Sequence, residues 1–213
     1  MEIDKNEIRR YLGYGRNPAD EPVSALIAQC IRELEQAASP RFLYRIFPLA
    51  LKENNLIDME FMQVTSRNLS RNLRDCSQIA VMAATLGVEP DRLINRYSRT
   101  DIAKGVVMQA AAAAMIEAWC RECQEKIRGE AGQMGLFLRP RFSPGYGDFP
   151  LESQKAIIQT LQAPKKIGLT VTDSLLMAPV KSVTAVIGLS KKNSACQEEG
   201  CEVCEKKNCI YRR

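Results

Sequence analysis

Histidine is absent from this chain of 213 residues. Its absence excludes histidine-based acid–base catalysis, nucleophiles activated by histidine, and any histidine ligand that this chain could give to a metal or a corrinoid. Aromatic residues make up only 6% of the chain, and the net charge of +5 is mild. Since no basic run is interleaved with aromatic residues, we expect no nucleic-acid partner.

Long apolar runs are missing as well. No uninterrupted run approaches the ~20 residues needed to cross a bilayer. The first seven residues, Met-Glu-Ile-Asp-Lys-Asn-Glu, are charged and polar, without the apolar core of a signal peptide. We therefore expect a cytoplasmic protein with no membrane partner.

The apolar content of 46% and the charged content of 26% are ordinary for a globular protein. Apolar periodicity and capping residues predict a mixture of helices and strands. Helices are predicted over 4–14, 20–39, 66–74, 90–98, 101–130 and 151–161, and strands over 41–51, 57–64, 77–86, 167–172, 174–177 and 182–189. The pattern indicates an α+β domain over residues 1–190, with the N-terminal helices (1–40) as part of it and a largely antiparallel, twisted sheet. A small cysteine-rich appendage over 191–213 would follow.

Four of the eight cysteines lie in that appendage, with the spacing Cys196-x4-Cys201-x2-Cys204-x4-Cys209. Four thiolates within fourteen residues can surround one metal ion or cluster. Tetrahedral zinc and a [4Fe–4S] cluster both fit this pattern, and a redox-labile or disordered tail is the alternative. The other four cysteines are predicted to be core residues: Cys30, Cys76, Cys120 and Cys123.

The stretch 139–151 contains three prolines, two glycines, two arginines and one tyrosine. Proline fixes φ and glycine opens φ values closed to other residues, so this stretch is predicted to be a rigid loop of specific shape. Such a loop presents backbone and a few polar side chains to a ligand or a partner. The alternative is a plain surface connection.

Three motifs point in one direction together. They are Arg141-Phe-Ser-Pro-Gly-Tyr146, the segment Leu169-Thr-Val-Thr-Asp-Ser-Leu-Leu-Met-Ala-Pro179 followed by Ser182-Val183, and the helical stretch from Ile116-Glu-Ala-Trp-Cys120 through Arg128. They resemble the S-adenosylmethionine-binding activation (reactivation) domain of cobalamin-dependent methionine synthase. The resemblance covers about 101–189, and the segments before it suggest a free-standing version of the domain.

The resemblance implies a function that the chain does not perform alone. It would offer S-adenosylmethionine as methyl donor, so that cob(II)alamin held by a separate methionine synthase chain is reductively methylated. The electron would come from a flavodoxin-like or ferredoxin-like carrier. Two alternatives remain: a redox carrier or reductive activator of another corrinoid methyltransferase, working through the four-cysteine tail, and a scaffold that only docks a partner.

The resemblance also implies which residues bind S-adenosylmethionine, and none of them is catalytic. Arg141 would meet the ligand carboxylate with a forked pair of hydrogen bonds. Glu117 would face the ammonium or the ribose, unless it only forms an exposed pair with Arg121. Ser143 stands where the family has alanine and would offer its backbone.

Gly145 is predicted to shape the same loop so that its amides converge on the ligand. Tyr146 would offer its hydroxyl or its ring to the sulfonium, unless it packs the loop against the core. Arg139 would lie on the same face as the binding arginine if this segment is extended, and it is the weaker candidate ligand.

The chain departs from the family in two respects. Gly147 replaces the proline that the family has after the tyrosine. The acidic ligand that the family has near its N-terminus and its late tyrosine have no aligned counterpart, and Asp4 and Tyr211 match them only in residue type.

Overall fold

The computed structural model describes residues 1–15 and 17–193. The helices are α1 (Lys5–Tyr11), α2 (Glu21–Ala37), α3 (Arg67–Asn72), α4 (Glu89–Thr100), α5 (Ile102–Gln133), α6 (Ser153–Leu161) and α7 (Ala163–Ile167). The strands are β1 (Arg41–Pro48), β2 (Ala50–Leu51), β3 (Leu56–Asp58), β4 (Gln63–Thr65), β5 (Gln78–Thr85), β6 (Phe137–Leu138), β7 (Thr170–Val171), β8 (Met177–Ala178) and β9 (Ser182–Ser190).

The centre of the fold is a four-stranded sheet in the order β1-β5-β9-β6. All three strand pairs are antiparallel, with Tyr44 opposite Met82 and Met82 opposite Ala185. Two smaller antiparallel sheets join β2, β3 and β4, and β7 with β8. The predicted α+β class with a largely antiparallel sheet is confirmed.

Both faces of the central strand β5 are buried. Because strand side chains alternate between faces, Ala80 and Met82 pack on one side of the sheet with α1, α2 and α5. Ile79 and Val81 pack on the other side with α3, α6, α7 and the small β2–β3–β4 sheet. The sheet therefore separates two apolar layers, which explains why β5 reads as a continuous apolar run.

The long helix α5 forms the middle of the first layer. Its N-terminus is capped by Asp101, whose carboxylate accepts a hydrogen bond from the backbone amide of Lys104 at 3.0 Å. Its run of alanines, with Ala111, Ala112 and Ala114 fully buried, lets neighbouring elements approach closely. By length and composition α5 could cross a membrane, but 61% of its most apolar window is buried inside the fold, as in a core helix.

Three more helices carry side-chain caps at their N-termini. Asp4 accepts the amide of Asn6 at 2.8 Å at the start of α1, and Asp20 accepts the amide of Val23 at 3.2 Å at the start of α2. Ser66 accepts the amide of Leu69 at 3.0 Å at the start of α3. Each side-chain oxygen satisfies a donor that has no partner within the helix.

Three predictions of secondary structure are wrong in detail. The single strand expected over 57–64 is a hairpin, because the chain reverses at Glu60, which takes φ of 69° between β3 and β4. The strand expected to start at Ile167 begins at Thr170, since the preceding residues form α7. The strand expected over 174–177 is mostly the turn of the β7–β8 hairpin.

The predicted core cysteines Cys30, Cys120 and Cys123 are fully buried, whereas Cys76 is half-buried. The four cysteines of the predicted metal site lie outside the described residues. The same is true of most of the predicted appendage, so the boundary at residue 190 stays a prediction.

Candidate functional site

The two charged residues singled out by the sequence form an ion pair. Arg141 Nη2 lies 2.5 Å from Glu117 Oε2. Glu117 projects from the middle of α5, and Arg141 follows the end of β6 by three residues. Their side chains are 25% and 19% exposed. The pair is therefore partly shielded from water yet open on one side.

Arg141 has donor capacity left over. Its Nη1 atom is buried and has no hydrogen-bond partner among the described residues. An unmatched buried donor on a charged group is costly, so it is expected to be satisfied by something that binds there. A carboxylate is the natural partner for a guanidinium with a free edge.

Electrostatics keep the arginine charged. Burial acts to lower the pKa of Arg141, but the neighbouring Cys120 and Glu117 outweigh it and raise the pKa. Burial raises the pKa of the Cys120 thiol to about 11, although the charge of Arg141 acts in the opposite direction. The site thus holds a permanent cation, a carboxylate and a protonated thiol.

The loop beyond Arg141 forms a tight turn. The amide of Tyr146 donates to the Ser143 carbonyl at 3.2 Å, and the amide of Gly145, where φ is +88°, donates to the Phe149 carbonyl at 2.9 Å. Gly145 was expected to shape the loop so that its amides converge on a ligand, but the amides of Gly145 and Tyr146 are both used inside the turn. Ser143 offers its carbonyl to that turn and is half-buried.

Tyr146 lies at the tip of this turn and is 66% exposed. It does not pack the loop against the core, which excludes the structural alternative considered for it. Phe149 does that instead, since it is 1% exposed and its ring lies 6.3 Å from the ring of Phe142. The tyrosine ring and hydroxyl are thus free to meet a ligand or a partner.

Asp148 holds the loop against α3, a role that the sequence analysis did not predict. Its carboxylate accepts the Ser66 hydroxyl at 2.5 Å and the amides of Arg67 and Asn68 at 2.7 and 3.1 Å. Burial acts to raise the pKa of Asp148, but these hydrogen bonds outweigh it and hold the pKa below its usual value. Since the partners lie about eighty residues earlier, no local pattern could have indicated this contact.

The same contact explains a departure from the family pattern. Gly147 has φ of +54°, which proline cannot adopt. A Cβ atom there would also collide with the side-chain amide of Asn68. Glycine therefore suits this position, because it takes the positive φ without strain and leaves room for the side chain of Asn68.

Helix α1 brings further charged groups next to α5. Glu7 is 6% exposed and pairs with Arg10 at 3.0 Å and with Arg121 at 3.6 Å. Tyr11 donates to Glu7 at 3.2 Å, and its pKa is raised by burial, then by the charges of Glu7 and Glu117. Arg121 is thus not the partner of Glu117. Asp4, in contrast, only caps α1.

Arg139 is placed differently from Arg141. Its side chain is 5% exposed and donates to the Arg74 carbonyl at 3.2 Å, on the α3 side of the sheet. The expectation that both arginines share a face is wrong. The strand β6 ends at Leu138, and the alternation of side chains does not continue through Pro140.

Cavities of appreciable size lie elsewhere. One of about 310 Å³ is lined by residues that include Arg41, Glu89 and Pro179, and a second of about 310 Å³ borders α3. Neither is lined by Arg141 or Tyr146. We place the candidate site at the ion pair nonetheless, because it brings together the two charged residues that the sequence motifs single out. No cluster of three metal-binding side chains occurs within 1–15 and 17–193.

The comparisons with known proteins decide the family. The family described as "Vitamin B12 dependent methionine synthase, activation domain" matches residues 67–198, more than half of the chain. The chain belongs to this activation-domain family. The matched stretch includes both Glu117 and the loop with Arg141, which confirms the resemblance carried by the sequence motifs.

A solved structure shares the fold of this activation domain. It is the crystal structure of the MetH reactivation domain bound to AdoHcy, with 20% identity and a TM-score of 0.65. The alignment covers 90% of this chain and 75% of that chain. At this identity the likeness extends to the fold, including segments before residue 67 that the family match leaves out. No curated protein matches this sequence.

Proposed function

We propose that this activation domain binds S-adenosylmethionine and presents its methyl group to a cobalamin held by a separate methionine synthase chain. The observation that carries the proposal is the Arg141–Glu117 pair with its unmatched Nη1 donor. The ligand bound in the related MetH reactivation domain, AdoHcy, is the demethylated product of S-adenosylmethionine, which supports the choice of ligand.

The pair suits the amino-acid end of this ligand. S-adenosylmethionine carries a carboxylate and an ammonium on the same carbon atom, next to each other. Arg141 would donate to the carboxylate through Nη1, while Glu117 would accept from the ammonium. A zwitterion can thus bind without leaving either protein charge unpaired, which keeps the cost of desolvation low.

Tyr146 would cover the opposite end of the binding site. Its exposed ring can lie against the sulfonium, since the face of an aromatic ring attracts a cation. It also stands at the surface that a cobalamin-bearing partner must approach. The loop would then contribute to both ligand binding and docking.

The chemistry belongs to the complex. One electron reduces cob(II)alamin to cob(I)alamin, which takes the methyl group from the sulfonium and leaves S-adenosylhomocysteine. The residues of this chain bind and orient the donor and exclude water from it. We propose a flavodoxin-like or ferredoxin-like protein as the source of the electron and the cytoplasm as the location.

Calorimetric titration of the purified chain with S-adenosylmethionine tests the ligand. Arg141→Ala is expected to weaken binding by roughly 10- to 100-fold, because a charge-assisted hydrogen bond contributes about 1.5–3 kcal/mol. Arg128→Ala is the matched control. Arg128 lies about three turns beyond Glu117 on α5, its side chain is 57% exposed, and it pairs with Glu125. Absence of saturable binding to the native chain would refute the proposal.

A second measurement tests the partner. The chain, S-adenosylmethionine and a reductant are added to a short methionine synthase in its cob(II)alamin form. Recovery of activity that requires all three additions supports the proposal, and recovery without this chain contradicts it.

The alternative function, a redox carrier or reductive activator of another corrinoid methyltransferase, depends on Cys196, Cys201, Cys204 and Cys209. Zinc or a [4Fe–4S] cluster at these cysteines stays a prediction from the sequence. Iron, zinc and sulfide analysis of anaerobically purified protein distinguishes the two metals from an empty tail. If the tail is the working part, Cys201→Ser abolishes activation while Arg141→Ala is tolerated.

A further inference from the structure

The second cavity, which borders α3, is lined by three arginines. It has a volume of about 310 Å³. Its lining residues are Leu51, Asn55, Arg67, Ser70, Arg71 and Arg74. None of them belongs to the Arg141 site.

The three arginines of this cavity form no ion pair within the described part of the chain, although the charge of Arg74 helps to lower the pKa of the nearby Asp75. No ion pair between described residues involves Arg67, Arg71 or Arg74. The nearest acidic residue in sequence, Asp75, is already paired with Lys192 at 2.9 Å. Three exposed arginines therefore line one small cavity, and none of them is held in an ion pair among the described residues.

This arrangement costs the helix some stability. Arg67 and Arg71 are one turn apart on α3, and like charges at this spacing destabilise a helix by about a few tenths of a kcal/mol. A bound anion would relieve this repulsion.

We propose that this cavity binds a small phosphate-bearing anion. Guanidinium groups hold phosphate oxygens through forked hydrogen bonds, and Ser70 and Asn55 add a hydroxyl and an amide as neutral donors. The volume is at the lower end of the range for small-molecule sites, which fits a pyrophosphate-sized group. The ligand is distinct from the sulfonium compound of the Arg141 site, so this inference goes beyond the proposed function.

The test is calorimetric titration of the full chain with inorganic pyrophosphate and with ADP, at constant ionic strength. Both are expected to bind saturably, and Arg71→Ala is expected to weaken binding by about tenfold or more because a charge-assisted contact is lost. Arg99→Ala is the matched control, since Arg99 is an exposed arginine of α4 that borders no part of this cavity. It should leave the affinity unchanged.

Three results would overturn the proposal. They are no binding of pyrophosphate at millimolar concentration, equal binding of citrate, and equal weakening by Arg99→Ala. Arg71→Ala could also lose binding because it unfolds. Its melting temperature, measured without anion and compared with that of the native chain, shows whether it is folded. Because Arg71→Ala removes a like-charge contact, that temperature is expected not to fall.

Discussion

The two walls of the candidate site are built in different ways. Glu117 stands on a 32-residue helix whose buried face includes Met115 and Cys120. The loop that carries Arg141 and Tyr146 is tied to β9 by two backbone hydrogen bonds between Phe142 and Val186. It is held further by Phe149 and by the hydrogen bonds of the Asp148 carboxylate. The helix wall is fixed by apolar packing over its whole length, whereas the loop wall depends on a few polar contacts. Apolar packing holds the helix wall equally well at any pH, whereas the hydrogen bonds of a carboxylate are lost when that carboxylate is protonated.

The largest expected loss of stability comes from a substitution in the helix wall. Met115→Ala removes a fully buried side chain from α5 and is expected to lower the free energy of unfolding by about 2–5 kcal/mol. Chemical denaturation monitored by circular dichroism measures it. Met134→Ala, at a position that is 46% exposed at the end of the same helix, should change it by less than about 0.5 kcal/mol. A loss below about 1 kcal/mol at Met115 would mean that the helix wall is not held by packing.

A smaller effect is expected for the loop wall. Asp148→Ala removes the acceptor for the Ser66 hydroxyl and for two amides of α3, and it is expected to cost about 1–2 kcal/mol at pH 7. The effect should depend on pH. Since the pKa of Asp148 is lowered in the folded protein, its stabilisation is present above the unfolded pKa of about 3.9 and is lost as the pH falls through the folded pKa.

Denaturation of native protein and Asp148→Ala from pH 7 down to about pH 2.5 checks this dependence. The two curves should converge at the acid end, while Asp173→Ala, which removes an exposed loop carboxylate, should follow the native curve throughout. A difference between native protein and Asp148→Ala that stays constant with pH would contradict the assigned role.

The smallest expected effect concerns the tip of the loop. Because Tyr146 is largely exposed, Tyr146→Ala should change the free energy of unfolding by less than about 0.5 kcal/mol. The affinity for S-adenosylmethionine should fall by roughly two- to fivefold, the range expected for an exposed contact between a cation and an aromatic ring. Tyr146→Phe keeps the ring and should bind normally. Equal affinity of all three proteins would remove the tyrosine from the binding site.

Sequence patterns predict the helix wall better than the loop wall. The three- and four-residue spacing of Ile116, Cys120, Cys123 and Ile127 is local, so it predicted the buried face of α5. The motif around Arg141 identified the binding loop through the family resemblance. The contact of Asp148 with α3 was missed because it joins segments far apart in sequence.

The ion pair itself shows the same limit. Glu117 and Arg141 were each named as ligand-binding residues, but the pair between them was not predicted, and the alternative for Glu117 was an exposed pair with Arg121. In the structure Arg121 forms an ion pair with Glu7, and Glu117 forms an ion pair with Arg141. Spacing along one helix reports which residues share a face, and it cannot report which charged group a second element brings to that face.

The burial of the Cys120 thiol affects how readily the protein can be alkylated by a ligand bound next to it. A sulfonium compound alkylates thiolates, and under the proposed function one would bind at the neighbouring Arg141. Because burial raises the pKa of Cys120 to about 11, this cysteine is present almost entirely as the neutral thiol at pH 7. Under the proposed function, the methyl group would thereby be kept for the corrinoid, and the domain would be protected from alkylation by its own ligand.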